Sequence, residues 1–163
     1  MTNNGHSTAK MCSPLWAMVG QNKCWKCGRI ENVVALVTEE FWREIRGEID
    51  PYGSGGFGVL SNITQLPDEI LMLLQKLNPL FQKRFSKTVE AEYYANGCSC
   101  GALFGDFYLH DEPGHTFFPQ SDEEASAIKL YQLPIQGEWP IACSSSNGPG
   151  EFIFERGTRC AWI

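Results

Sequence analysis

The chain has 163 residues, with 13 Lys+Arg against 19 Asp+Glu, and so carries a formal charge of −6 at neutral pH. Its 43% hydrophobic and 20% charged content excludes a wholly disordered chain and a coiled coil, and the length suits one domain with its own core. No Lys/Arg run is present, so the charge balance opposes a phosphate-backbone binder and suits a basic partner.

Residues 1–12 (MTNNGHSTAKMC) are polar with no hydrophobic period and read as a flexible leader, leaving 13–163 as a single domain. The polar start and the short apolar stretch interrupted by Pro14 do not make a secretory signal, and no apolar run approaches a membrane span. The expected location is therefore the cytoplasm, where thiols stay reduced and paired cysteines point to metal or redox chemistry. Leu15–Val19 and Asn32–Val37 are apolar, rich in Val, and flank Cys24-Trp25-Lys26-Cys27-Gly28, a strand, knuckle, strand pattern. The run EEFWREIRGEI after Thr38 reads as a short helix capped by that threonine. The glycine-rich stretch 50–58 lacks the Gly-Lys-Ser/Thr of a phosphate loop and reads as a connector.

From Leu66 a stronger helix is expected, with Pro67, Asp68 and Glu69 in its first turn and Ile70, Leu71, Leu74 and Leu77 on one stripe. Asn78-Pro79 ends it, and Leu80–Phe85 reads as a second short helix. Thr88–Tyr94 alternates as a strand and leads into a second knuckle, Asn96-Gly97-Cys98-Ser99-Cys100-Gly101, followed by a strand over Leu103–Leu109. Ser121 with Glu124 makes a capping box for a helix over about 122–130. Ile135–Cys143 and Glu151–Ile163 read as two terminal strands. The expected fold is α+β: a small antiparallel sheet with a zinc-ribbon-like site formed by 24–27 and 98–100, covered by two to four short helices.

The chemistry centres on Cys24-x-x-Cys27 and Cys98-x-Cys100, about 70 residues apart. Zn²⁺ takes four thiolates in a tetrahedron, a turn with two cysteines supplies a pair, and four thiolates leave no open position, so the expected zinc is structural. The competing reading of Cys24-Trp25-Lys26-Cys27 as a redox pair needs a helix after Cys27, whereas GRIENVVALV reads as a strand. Cys12, Cys143 and Cys160 have no partner at ligand spacing and read as free thiols, although paired terminal strands would bring Cys143 near Cys160. Asp106, His110 and His115 form an alternative acid/base or metal group, against which stands the ordinary turn chemistry of Asp111-Glu112-Pro113-Gly114.

The segments CWKCG…VVAL and YYANGCSCGALFGDFYLHDEPGHTFFP together resemble a group of poorly characterised bacterial proteins, in which a CWKC knuckle precedes an N-x-C-x-x-C-G-A-x-x-G-D-F-x-L-H segment. The motifs cover about a third of the chain, which departs from the pattern by having one residue between Cys98 and Cys100. The resemblance implies zinc binding, and some members resemble immunity proteins that neutralise an interbacterial toxin.

The functional expectation is a cytoplasmic zinc-stabilised binding protein, not an enzyme. Its acidic clusters Glu39-Glu40, Asp111-Glu112 and Asp122-Glu123-Glu124 would face a basic toxin domain. Each cluster also fits a solvated turn or helix start. The alternatives are a small enzyme using Asp106, His110 and His115 in a cleft, and a nucleic-acid adaptor whose cations would be Lys76, Lys83, Arg84 and Lys87.

Overall fold

A computed structural model of the chain describes residues 8–12, 14–51, 55–146 and 148–163. The described elements are twelve strands and four short helices, in a mixed α+β arrangement. The centre is the hairpin of β2 (Leu15–Lys23) and β3 (Ile30–Thr38), in antiparallel register from Leu15↔Thr38 to Lys23↔Ile30. Its closing loop is the first cysteine knuckle. The consecutive apolar residues Val33–Val37 arise because β3 is covered on both faces. Ala17, Val19, Val34 and Leu36 face one hydrophobic cluster, whereas Met18, Val33, Ala35 and Val37 face the other.

The first cluster is closed by α1 (Asp68–Leu77), which buries Ile70 and Leu74 completely. Each such side chain contributes about 1.5–3 kcal/mol when removed from water. Pro67 stands just before α1, and Asp68 and Glu69 fill its first turn as expected. The second cluster lies under α2 (Asp106–His110), α3 (Asp122–Ser126) and α4 (Gly150–Arg156), which contribute Leu109, Ala125, Ile153 and Phe154 to the buried side chains. The sheet is thus larger than the small one expected, and it is mostly antiparallel; β10 (Lys129–Gln132) and β12 (Thr158–Cys160) pair in parallel.

One side of the sheet runs from β3 through β6 (Gly58–Gln65) and β11 (Glu138–Ser146) to β1 (Thr8–Cys12), β4 (Phe41–Ile45) and β5 (Glu48–Ile49). Residues 1–7 of the expected leader lie outside the described residues. Thr8–Cys12 are not leader but a strand, bonded to β11 on one side and β4 on the other. The expected helix after Thr38 is the hairpin β4–β5. Thr38 Oγ1 accepts from Glu40 N at 3.3 Å and donates to Glu40 O at 3.0 Å, which closes a local turn. Arg46 and Gly47 both take positive φ, 53° and 81°, as a two-residue hairpin turn requires.

Four further expectations are corrected, two of them, 80–85 and 122–130, by strand pairing that overrides local propensity. Leu80–Phe85 is not a helix, because β7 (Gln82–Ser86) pairs with β8 (Ala91–Gly97). Leu103–Leu109 is only briefly a strand, β9 (Leu103–Phe104), before α2 begins. The helix expected over 122–130 ends at Ser126, and the segment from Glu151 contributes α4 before β12.

The sheet opens on the path that brings the two cysteine knuckles together. β6 pairs with β3 only at Leu36↔Leu60, Val37↔Val59 and Thr38↔Gly58, then turns at Asn62 (φ 48°) and meets β8 at Ile63↔Tyr94. The gap beside Val34 is filled by a side chain acting as backbone. Asn96 accepts from Val34 N and donates to Val34 O, both at 2.9 Å, while Asn78 Nδ2 donates to Asn96 Oδ1 at 2.9 Å. This ties the end of β8 to the middle of β3, and so carries the second knuckle to the first.

Candidate metal centre

Each knuckle is a short turn held by its own backbone. Gly28 N donates to Cys24 O and Gly101 N to Cys98 O, both at 2.9 Å, and the two glycines take φ of 78° and 95°, where a Cβ would be strained. Lys26 N and Cys27 N point at Cys24 Sγ, at 3.3 and 3.5 Å. Backbone N–H groups aimed at a sulfur favour its thiolate.

The four sulfurs of Cys24, Cys27, Cys98 and Cys100 lie within 4.8 Å of one another, and none is in a disulfide. Cys24 and Cys100 are 3.7 Å apart and Cys27 and Cys98 are 3.5 Å apart, both across the two knuckles. A tetrathiolate metal centre with bonds of about 2.3 Å has sulfur–sulfur edges of about 3.8 Å. The cluster therefore fits a tetrahedral metal ion, and the single residue between Cys98 and Cys100 does not prevent both sulfurs from joining it.

Charge on the thiols is shared unevenly. At Cys24 burial raises the pKa, but the N–H groups of Cys27 and Lys26 and the neighbouring thiols outweigh it and bring the value down to about 6. Cys98 receives a backbone hydrogen bond from Cys100 that favours its thiolate, yet burial and the three neighbouring sulfurs push it up to about 12. Four thiols at this spacing cannot all ionise without a cation among them. A bound metal ion would supply that cation.

Side chains outside the cysteines lock the knuckles together. Trp25 Nε1 donates to Leu103 O at 3.0 Å. Glu31 Oε1 accepts from Ser99 Oγ at 2.8 Å and Ser99 N at 3.2 Å, and those bonds hold its carboxyl below the usual carboxylate range. Arg29 donates to Ser99 Oγ. Sequence reasoning missed Glu31, Ser99 and Asn96, whose one visible signal is adjacency to the cysteine pairs. The redox reading loses its structural basis here, because the chain after Cys27 enters β3 rather than a helix.

The remaining candidates are dispersed. Asp106 and His110 stand at opposite ends of α2 and are both buried. Asp106 Oδ2 accepts from Asn62 N at 2.8 Å; burial pushes its carboxyl up to about 7, and burial pushes His110 down to about 4. His115 is outside that pair, edge-on to Tyr108 and 3.4 Å from Glu112. The three residues line no shared cleft among the described cavities. Glu39, Glu40, Asp111, Glu112, Asp122, Glu123 and Glu124 are all exposed. Asp122 pairs with Arg156 at 3.4 Å, and Glu124 turns back to accept from Gln120 N at 2.7 Å. Sequence reasoning also missed Glu151 and Glu155 of α4, which share a surface depression with Glu39.

Cys143 is half-buried, with its thiol pushed up to about 12 by burial, and Cys160 is half-buried with Sγ 3.7 Å from Thr158 O. Their strands do not pair: β11 joins β6 and β1, whereas β12 joins β10. The Cys12 side chain lies outside the described residues. No helix among the described residues is long and apolar enough to cross a membrane. Comparison with protein-family models, with curated proteins and with solved structures finds no match to the chain.

Proposed function

We propose that the chain is a zinc-stabilised binding protein, in which Cys24, Cys27, Cys98 and Cys100 hold one structural Zn²⁺ and the acidic surface takes a basic protein domain. The observation that carries the reading is the set of four sulfurs within 4.8 Å, at edges suited to a tetrahedral thiolate site. Zinc is the ion best matched to four thiolates and a redox-inert role. With four protein ligands no position remains for water, so the site supports the fold and does no chemistry.

Support for a binding role is electrostatic. The formal charge is −6, and bound Zn²⁺ with four thiolates adds a net charge of about −2. The exposed carboxylates Glu39, Glu151 and Glu155 around one depression, with Asp122 and Glu123 on neighbouring α3, suit a partner rich in Lys and Arg. A toxin domain neutralised by an immunity protein is the concrete form of this proposal. Burial of Asp106 and His110 speaks against an enzyme built on them.

Two measurements test it. Metal analysis of the purified chain is expected to give one zinc per molecule, with loss on Cys24→Ser or Cys98→Ser; a fully folded wild-type protein without metal overturns the zinc reading. Affinity capture from the source cells is expected to recover one stoichiometric basic protein, released by high salt and by Glu151→Lys with Glu155→Lys. Capture of no basic protein overturns the partner reading.

A further inference from the structure

A separate cleft lies at the end of β2, just before the first knuckle. β10 begins at Lys129 opposite Val19, so Gly20–Lys23 continue past it with no strand on that side among the described residues. The loop after α2 covers part of this edge. Thr116 Oγ1 donates to Gln21 O at 3.0 Å, and a Cβ at Gly20 would displace the Thr116 methyl group that packs over it. The remaining space is about 750 Å³, within the range of small-molecule sites.

Its walls are opposite in charge to the molecule as a whole. Lys23, Lys76 and Lys129 line the cleft from β2, α1 and β10, and among the described residues none of them makes an ion pair. The carboxylates nearby are engaged: Glu124 Oε2 by Gln120 N, and Glu112 by His115. Tyr108 and His115 also line the cleft, edge to face with centroids 4.0 Å apart, and present ring surface to it. Three unpaired cations around one concavity focus a positive potential that an anion relieves. Unpaired lysines beside an aromatic pair suit a ligand with both an anionic and a flat part.

We propose that this cleft binds an organic anion, a phosphate or carboxylate carried on an aromatic ring, with Lys23, Lys76 and Lys129 taking the charge and Tyr108 and His115 the ring. None of the residues given a role here is a cysteine of the cluster or one of the carboxylates proposed to meet a basic partner.

Calorimetric titration of the full chain, in its metal state as purified, tests this with phenyl phosphate, benzoate, inorganic phosphate and phenol. Saturable one-to-one binding of phenyl phosphate or benzoate is expected with Kd at or below about 1 mM. Preference between those two identifies the anion. Lys76→Gln with Lys129→Gln is expected to weaken binding at least about tenfold, the loss of charge-assisted contacts, while Lys87→Gln in the distant β7–β8 turn has no effect. Tyr108→Ala is expected to weaken phenyl phosphate and leave inorganic phosphate unchanged, and melting curves confirm that each variant folds. Absence of saturation with both ring anions, equal binding of phenol, or undiminished binding by the folded double lysine variant overturns the proposal.

Discussion

Asn96 shows how one side chain sets the position of a whole site. Buried and bonded to both backbone groups of Val34 and to Asn78, it substitutes for a strand that has turned away. Asn96→Ala leaves Val34 N and O without partners in the interior and is expected to destabilise the protein by about 2–4 kcal/mol in urea unfolding, with weaker metal retention. Asp106 and His110 give a second prediction with opposing signs. The folded Asp106 carboxyl sits at about 7 against an ordinary 3.8, so its contribution is complete below about 3.8 and is lost as pH rises toward 7. Folded His110 sits at about 4 against 6.5, so its contribution is present above about 6.5 and is lost as pH falls toward 4. Between pH 4 and 6.5 the fold keeps one proton on Asp106 and none on His110, the reverse of the unfolded chain, and the two slopes cancel. Asp106→Asn is expected to leave stability rising with pH across that window, and His110→Gln to leave it falling; chemical denaturation at stepped pH measures both. Unchanged pH dependence in either variant contradicts the assignment.

At the scale of elements, the hairpin of β4 and β5 explains why the amphipathic run after Thr38 does not become a helix. Phe41 is buried and Trp42 is 40% exposed, the alternation of a strand, and β4 gains hydrogen bonds from β1 that an isolated helix could not match. The strain sits in its turn. Arg46 holds φ at 53°, a conformation better suited to Asn, so Arg46→Asn is expected to stabilise the protein by about 0.5–1 kcal/mol, seen as a higher Tm. The helix α3 is the converse case, because its capping was legible: Ser121 Oγ accepts from Glu124 N at 3.1 Å, although Glu124 bonds Gln120 N rather than Ser121 N. It stops after five residues because Lys129–Gln132 pair with β2.

For the whole molecule, the cysteine cluster joins segments that no continuous element connects. Cys27 and Cys98 are 71 residues apart in sequence and 3.5 Å apart in space, so a metal there closes a long loop and restrains the unfolded chain. Chelation of the zinc proposed above is expected to lower stability by several kcal/mol and to expose all four thiols to Ellman's reagent, with recovery on adding Zn²⁺. A chelated protein that melts as the loaded one does would place the cysteine cluster outside the fold's support.

The cysteine pairs, the strands around the first knuckle, α1 and the cap of α3 were legible because each depends on residues close in sequence: spacing, alternation, a helical stripe, a hydroxyl three residues before a carboxylate. Tertiary structure alone decided that 41–45, 82–86 and 129–132 are strands, since each gains its hydrogen bonds from a partner far along the chain. It also decided that Asp106 and His110 are buried, and that Lys23, Lys76 and Lys129 meet around one concavity. The four cysteines of the cluster are written in the sequence, whereas their convergence depends on β6 leaving β3 and Asn96 bridging the opening. Local chemistry is encoded within a few residues; which groups meet, and which lose water, depends on the packing of the entire sheet.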